Sequence, residues 1–265
     1  MLNWIAQNKY KAMTFIIGLY LLVDIVQHRG QVRVLFPKQF SGPQYGMLQP
    51  HSNNTLMNRQ KNWVKAVNTR DQMNRLSQLE TGFECDVYFN RSTNSFDVHH
   101  DPGKANSYRL DELLQVYQQK KMQAGIWLDI KNLDDSNAAS CLKALITLRN
   151  TYDLQGRILV ESVRADLLSA FTGSSFYTAY YIPFFNPYRL NDQQTQLWAD
   201  SIAAGISKSR INALSGYYFQ CSFFKHYFPQ YPVLTWVDKA PFSLVNFLFR
   251  RKINAEPSIF IALKP

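Results

Sequence analysis

GFECDVYF, residues 82–89, is the stretch that orders the rest of the chain. In an extended strand successive side chains point to opposite faces. Glu84 and Asp86 therefore share one face, and Phe83, Cys85 and Val87 the other. Two carboxylates held side by side repel unless a cation or a shared proton separates them. Oxygen ligands of this kind suit a hard divalent ion, Mg²⁺ or Ca²⁺. Glu-x-Asp is also common on exposed strands, so the pair acquires meaning only from the polar residues downstream of it.

Next come SFDVHHDP (residues 95–102) and GIWLDIKN (residues 125–132). In the first, Phe96 and Val98 alternate with Asp97 and His99, which predicts a short extended piece ending at His100. Parity puts His99 and His100 on opposite faces. An imidazole ordinarily titrates near pH 6.5 and suits general acid–base work, so His100 is the candidate catalytic group; a structural histidine is the alternative. In the second, Asp129 and Lys131 share parity. Asp129 is placed to complete a three-carboxylate metal site with Glu84 and Asp86, and Lys131 to bind phosphate or offset carboxylate charge. A plain Asp–Lys pair at a strand end is the competing reading.

Outward from these stretches, short apolar runs recur at 63–68, 82–89, 125–130, 157–162, 176–183, 212–219, 232–237 and 258–263. Amphipathic stretches at 110–122, 137–152, 164–171 and 193–204 lie between them, with Leu142, Leu145, Ile146 and Leu148 at helical spacing. Strands alternating with helices predict parallel βαβ units, and eight of them predict an α/β closed barrel, the (β/α)8 TIM barrel. An open doubly wound sheet is the alternative, but no Gly-rich phosphate loop follows the first strand. In a barrel the chemistry gathers at the C-terminal strand ends.

The chain of 265 residues is 46% hydrophobic with a formal charge of +10, a folded protein whose surface favours anions. No zinc-finger, basic-zipper or RNA-binding pattern is present, so nucleic acid is not specifically indicated. Cys85, Cys141 and Cys221 are too few and too scattered for a disulfide framework and read as buried free thiols, with one disulfide the alternative if the domain is exported. Residues 12–26, AMTFIIGLYLLVDIV, follow Lys9 and Lys11 and lack a small-residue cleavage site. They predict an uncleaved apolar anchor helix, with Asp24 at the membrane interface and the main domain outside the cytoplasm; a buried helix of the main domain is the alternative. The expected organisation is an anchor over 1–30, a linker or draped segment over 31–60, and the barrel over 61–265.

The order Glu84-Cys85-Asp86, His100-Asp101, Asp129-Ile130-Lys131 resembles the glycerophosphodiester phosphodiesterase and phospholipase-C-like barrels. These carry a Glu-x-Asp, a downstream His-Asp and a Glu-x-Lys on the next strand. Within them, WVKAVNT (63–69), FDVHHDP (96–102) and WLDIKNL (127–133) look closest to the menorin-like family. ILVES (158–162) and VLTW (233–236) resemble the fourth and seventh strands, and the resemblance spans roughly residues 62 to 265.

The resemblance implies a divalent metal on Glu84, Asp86 and Asp129, and His100 as proton donor to the leaving oxygen. Lys65, Asn68, Lys131 and Trp236 would face a phosphodiester or phospholipid-like substrate. One departure matters. Lys65 stands where the family places its first catalytic histidine, and His28-Arg29-Gly30 lies too far upstream to replace it. Two further readings stay open: a catalytically impaired, membrane-tethered binding protein, or a non-phosphate hydrolase using Glu161 and Ser162.

Overall fold

The computed structural model describes residues 9–52, 54–57, 60–101, 108–237 and 240–264. Eight parallel strands form a closed barrel: β1 (Asn62–Val64), β2 (Gly82–Asn90), β4 (Gly125–Ile130), β5 (Ile158–Ser162), β6 (Tyr177–Tyr181), β7 (Ala213–Ser215), β8 (Val233–Trp236) and β9 (Ile259–Lys264). The ring closes because β1 pairs with both β2 and β9. β3 (Ser95–Val98) lies outside it as an antiparallel partner of β2, in register Val87 to Val98. Helices α3 (Arg70–Arg75), α4 (Leu110–Gln119), α5 (Ala138–Thr151), α6 (Ala165–Gly173), α7 (Asp192–Ser207), α8 (Cys221–Tyr227) and α9 (Leu244–Ala255) connect the strands, preceded by α1 (Lys9–Gln27) and α2 (Arg29–Leu35).

Strand parity sorts the apolar residues into two cores. Phe83, Cys85, Val87, Ile126, Leu128 and Val160 face the helices. Trp63, Trp127, Leu159, Ala179, Ala213, Leu234, Ile261 and Leu263 fill the barrel interior. Trp63 is wholly buried there, and glycines make its room. A Cβ on Gly82 or Gly125 would lie 2.1 or 2.3 Å from the indole, closer than packed carbons approach. Leu56, also buried, joins the same interior cluster; Met57 beside it bonds the carbonyl of Gly156, ahead of β5, so Leu56 fills the N-terminal end. All three cysteines are buried and free.

The stretch after α1 begins as helix α2 and then runs along the barrel. Asn54 donates to the carbonyls of Thr172 and Phe176, at 2.8 and 2.6 Å. β1 is shorter than the run at 63–68 predicts because Ala66 takes a left-handed conformation, φ 58°. β7 ends at Ser215 because Gly216 is pressed against Gln220 and Phe224, and a turn comes next.

Asp24 does not face solvent. It is buried and accepts the Val245 amide of α9 at 2.9 Å, with His28 2.9 Å from its other oxygen. Apart from buried Ala12 and half-buried Leu21, the rest of α1 is exposed: Phe15, Ile16, Leu19, Leu22 and Val26 all face outward. Its 19 residues are long and apolar enough to cross a membrane.

Candidate active site

The interior parity that buries Trp63 and Trp127 near the barrel bottom turns polar toward the C-terminal strand ends. Glu84 and Asp86 stand on β2, Asp129 on β4 and Glu161 on β5, with Asp86 opposite Asp129 and Asp129 opposite Glu161 in the strand register. One ligand oxygen from each of Glu84, Asp86 and Asp129 lies within 4.8 Å of the other two. These side chains open into a cleft of about 180 Å³, lined also by Lys65, His100, Lys131, Tyr181, Tyr217 and Trp236.

Each of the three clustered acids is held by a specific partner. The left-handed turn at Ala66 aims its amide at Glu84 Oε2, 2.7 Å away; a non-glycine residue adopts that conformation at some cost in strain. Asn68 grips Asp86 from both sides: its amide donates to Asp86 Oδ2 at 2.6 Å, and its carbonyl accepts the Asp86 amide at 2.9 Å. Lys131 bridges the remaining acids, 2.7 Å from Asp86 Oδ1 and hydrogen-bonded to Asp129.

Charge in the cleft is not balanced. Four carboxylates face two lysines, and the missing charge appears as displaced titration. Burial, reinforced by Asp86, pushes the Glu84 carboxyl up to about 8 despite the Ala66 amide. Burial and the neighbouring Asp129 lift Glu161 well above the carboxylate range. Asp129 is raised by burial even though Lys131 opposes the shift. Burial alone would lower the Lys131 ammonium, but Asp129 and Asp86 outweigh it and hold it above its ordinary value. The cleft thus takes up protons where a divalent cation would supply the same compensation. Oxygen donors, this spacing and the uncompensated charge fit a hard divalent ion.

His100 sits at the rim with its side chain 71% exposed, its Nδ1 3.1 Å from Asp101 Oδ1. His99 turns the other way, buried and stacked on Tyr88 with ring centroids 4.4 Å apart. Lys65 extends over the Trp236 ring, its Nζ 5.7 Å from the centroid. His28 pairs with Asp24 and does not line the cleft. Of the residues singled out in the sequence, Glu84, Asp86, Asp129, Lys131, His100, Lys65 and Trp236 line one cleft, and Asn68 reaches it through Asp86. Tyr217, 4.7 Å from Trp236, also lines it. Sequence reading passed over Tyr217, which lies in an aromatic run (217–219) that carries no strand parity.

No protein-family model matches the sequence, and no curated protein does. Comparison with solved structures is informative. The barrel superposes on a glycerophosphodiester phosphodiesterase from Parabacteroides distasonis with a TM-score of 0.53 at 13% identity, covering 78% of this chain and 93% of that one. The fold is that of the glycerophosphodiester phosphodiesterase barrels. A phosphodiesterase from Oleispira antarctica, solved with the product sn-glycerol-3-phosphate, gives 0.53 at 12% identity over 77% and 92% of the two chains. The Thermotoga maritima glycerophosphodiester phosphodiesterase gives 0.50 at 14% identity over 81% and 96%. At these identities the likeness speaks for the fold, and the chemistry rests on the cleft.

Proposed function

We propose that this protein is a metal-assisted phosphoric diester hydrolase working at a membrane. The observation that carries the reading is the convergence of Glu84, Asp86 and Asp129 with two lysines and an imidazole in one cleft at the barrel mouth. Glu84, Asp86 and Asp129 would hold Mg²⁺ or Ca²⁺, which would supply Lewis-acid polarisation of the phosphoryl oxygens. Lys65 and Lys131 offset the negative charge of the phosphate as it builds toward the transition state. Asn68 orients Asp86 and reaches the substrate only through it. His100 hands a proton to the leaving oxygen, and its exposed rim position lets the leaving group depart into solvent. Trp236, braced by Tyr181 and Tyr217, forms the apolar wall against which the rest of the substrate lies.

The membrane part rests on α1, which exposes nearly all of its apolar surface while Asp24 ties its end into the barrel. A helix of 19 residues is about 28 Å long, close to the hydrocarbon thickness of a bilayer. Lys9 and Lys11 in its first turn favour a cytoplasmic N-terminus and an extracytoplasmic barrel. A lipid-derived or envelope phosphodiester is then the substrate class, and the sequence stretches at 63–69, 96–102 and 127–133 resemble the menorin-like branch most.

Lys65 favours a second reading, a binding protein descended from such enzymes, because a protonated lysine is a poor general base. Both are tested on bis(p-nitrophenyl) phosphate with added Mg²⁺ or Ca²⁺. Hydrolysis that falls about 10²–10⁴-fold in His100→Ala supports the enzyme. Metal binding without turnover in the parent, with turnover appearing in Lys65→His, supports the binding protein.

A further inference from the structure

The surface that surrounds the end of α1 differs from the rest of the barrel exterior. Leaving the mouth at Trp236, the chain reaches Phe242 six residues later, a span of at most about 20 Å. Phe242 is 95% exposed, and Leu244, Phe247 and Leu248 carry an exposed apolar stripe onto the first turns of α9. The stripe is continuous with α1. Tyr20 donates to the carbonyl of Phe242, and Asp24 accepts the Val245 amide. Apolar rim and apolar helix are therefore fixed to each other at the mouth end of the barrel.

Immediately after α1, helix α2 borders a second feature. Arg29, Gly30 and Arg33 line a small cleft with Arg189, Phe184, Tyr188, Tyr218 and Phe219. Arg33 lies 5.8 Å from the Tyr188 ring. None of the three guanidinium groups pairs with a carboxylate among the described residues. Phe184 contacts Tyr217, which lines the active-site cleft, with centroids 5.0 Å apart. Unpaired arginines beside aromatic rings, directly at the end of an apolar helix, match the chemistry of an anionic lipid surface: rings at the interface, guanidinium groups on phosphate.

We propose that this face, formed by Phe242, Leu244, Phe247 and Leu248 with Arg29, Arg33 and Arg189, docks on an anionic phospholipid bilayer. Docking holds the barrel mouth against the membrane, so the cleft meets phosphodiesters that are still embedded in lipid. The proposal rests on reading α1 as a membrane anchor and refines the substrate class of the proposed function. Its readout requires no activity, so its failure is separable from failure of the hydrolase assignment.

The full chain is reconstituted in nanodiscs as Phe242→Cys or Leu79→Cys and labelled with an environment-sensitive fluorophore. Labelling is selective because the three native cysteines are buried. Leu79 is 90% exposed, but it precedes β2 and so marks the opposite end of the barrel. In discs containing phosphatidylglycerol, the label at 242 is expected to be blue-shifted and quenched by doxyl lipid severalfold more than the label at 79. In the Arg29→Gln, Arg33→Gln, Arg189→Gln variant, or in pure phosphatidylcholine, the docked-to-undocked ratio is expected to fall on the order of 100-fold. Arg189→Gln alone, on an exposed turn, gives a smaller loss if the triple variant does not fold. The proposal is overturned if the label at 242 stays as accessible to aqueous iodide as that at 79. It is equally overturned if its shielding is the same with and without the arginines and anionic lipid.

Discussion

On the proposed function, protons and a divalent cation compete for the cleft, and the competition has a sign and a size. Glu84 is buried and its carboxyl is pushed up to about 8, chiefly by burial and then by Asp86. Between the ordinary carboxylate value of 4.5 and about 8, the folded chain therefore binds a proton that the unfolded chain has released. Without metal, stability from this group is full below about 4.5 and is lost as pH rises through about 8. The ceiling is about 5 kcal/mol, since each pH unit is worth about 1.4 kcal/mol. Lys131, held above its ordinary value, stays charged throughout this window. Metal binding must expel the proton, so apparent affinity should rise about tenfold from pH 6 to 7 and about fivefold from pH 7 to 8, roughly 50-fold in all. Calorimetric titration with Mg²⁺ and Ca²⁺ at pH 6, 7 and 8, in two buffers of different ionisation enthalpy, measures both affinity and protons released. Glu84→Gln should abolish the pH dependence, raise the metal-free melting temperature at pH 8 and lose the metal. Equal affinity at pH 6 and 8 with no proton release would refute the electrostatic account of the site.

Lys131→Met removes the ammonium group that bridges Asp86 and Asp129. Stranding the buried acids should cost roughly 3–5 kcal/mol, and Mg²⁺ or Ca²⁺ should restore more stability in the variant than in the parent, as read by thermal melts. An unchanged metal-induced shift would count against a shared cation position. Gly125→Ala drives a Cβ to 2.3 Å from the Trp63 ring and should destabilise by about 1–3 kcal/mol through overpacking. Trp63→Phe should recover part of that loss in the double variant; additive losses would mean the clash is relieved elsewhere. Asp24→Ala leaves the Val245 amide without its acceptor at a cost of about 1–3 kcal/mol, and hydrogen exchange at Val245 should speed up while the β4 amides keep their protection.

The barrel was legible because its strands are short apolar runs whose periodicity is local. The run at 125–130 coincides with β4, and 82–89 falls one residue short of β2. Parity also put Glu84 and Asp86 on one face, but their meeting with Asp129 depends on the β2–β4 register, which pairs Asp86 with Asp129 across 43 positions of sequence. What local pattern could not show were contacts between distant segments. Trp63 fits because Gly82 and Gly125 lack side chains. Leu56 packs in the barrel interior from a stretch with no periodicity. Asp24, which reads as a polar interruption of an apolar helix, finds its partner 221 residues downstream. Each depends on a partner that becomes a neighbour only after the ring closes.

Lys65 decides how the cleft is to be understood, and electrostatics limits the choice. A neutral imidazole at that position would leave Lys131 as the sole ammonium group facing four carboxylates, so the site would need its metal simply to be tolerable. With Lys65 the deficit is smaller, and its ammonium over Trp236 is poised toward the cleft without being paired to any acid among the described residues. A cation beside a candidate metal site is well suited to holding a phosphoryl oxygen and poorly suited to taking a proton from water. The chemistry then divides unevenly. On the proposed function, protonation of the leaving group has a resident candidate in His100, whereas activation of the attacking group has no second imidazole among the described residues lining the cleft and falls to a carboxylate or to the substrate. Glu161, whose Oε2 is buried without a hydrogen-bond partner among the described residues, has its carboxyl raised well above the carboxylate range chiefly by burial, which favours its protonated form and makes it a poor base without a cation beside it. A substrate carrying its own hydroxyl next to the phosphodiester needs least help of all, because intramolecular attack replaces the missing base with proximity. The lysine thus argues for a narrower substrate range in this cleft, with the charge-stabilising half of the chemistry intact.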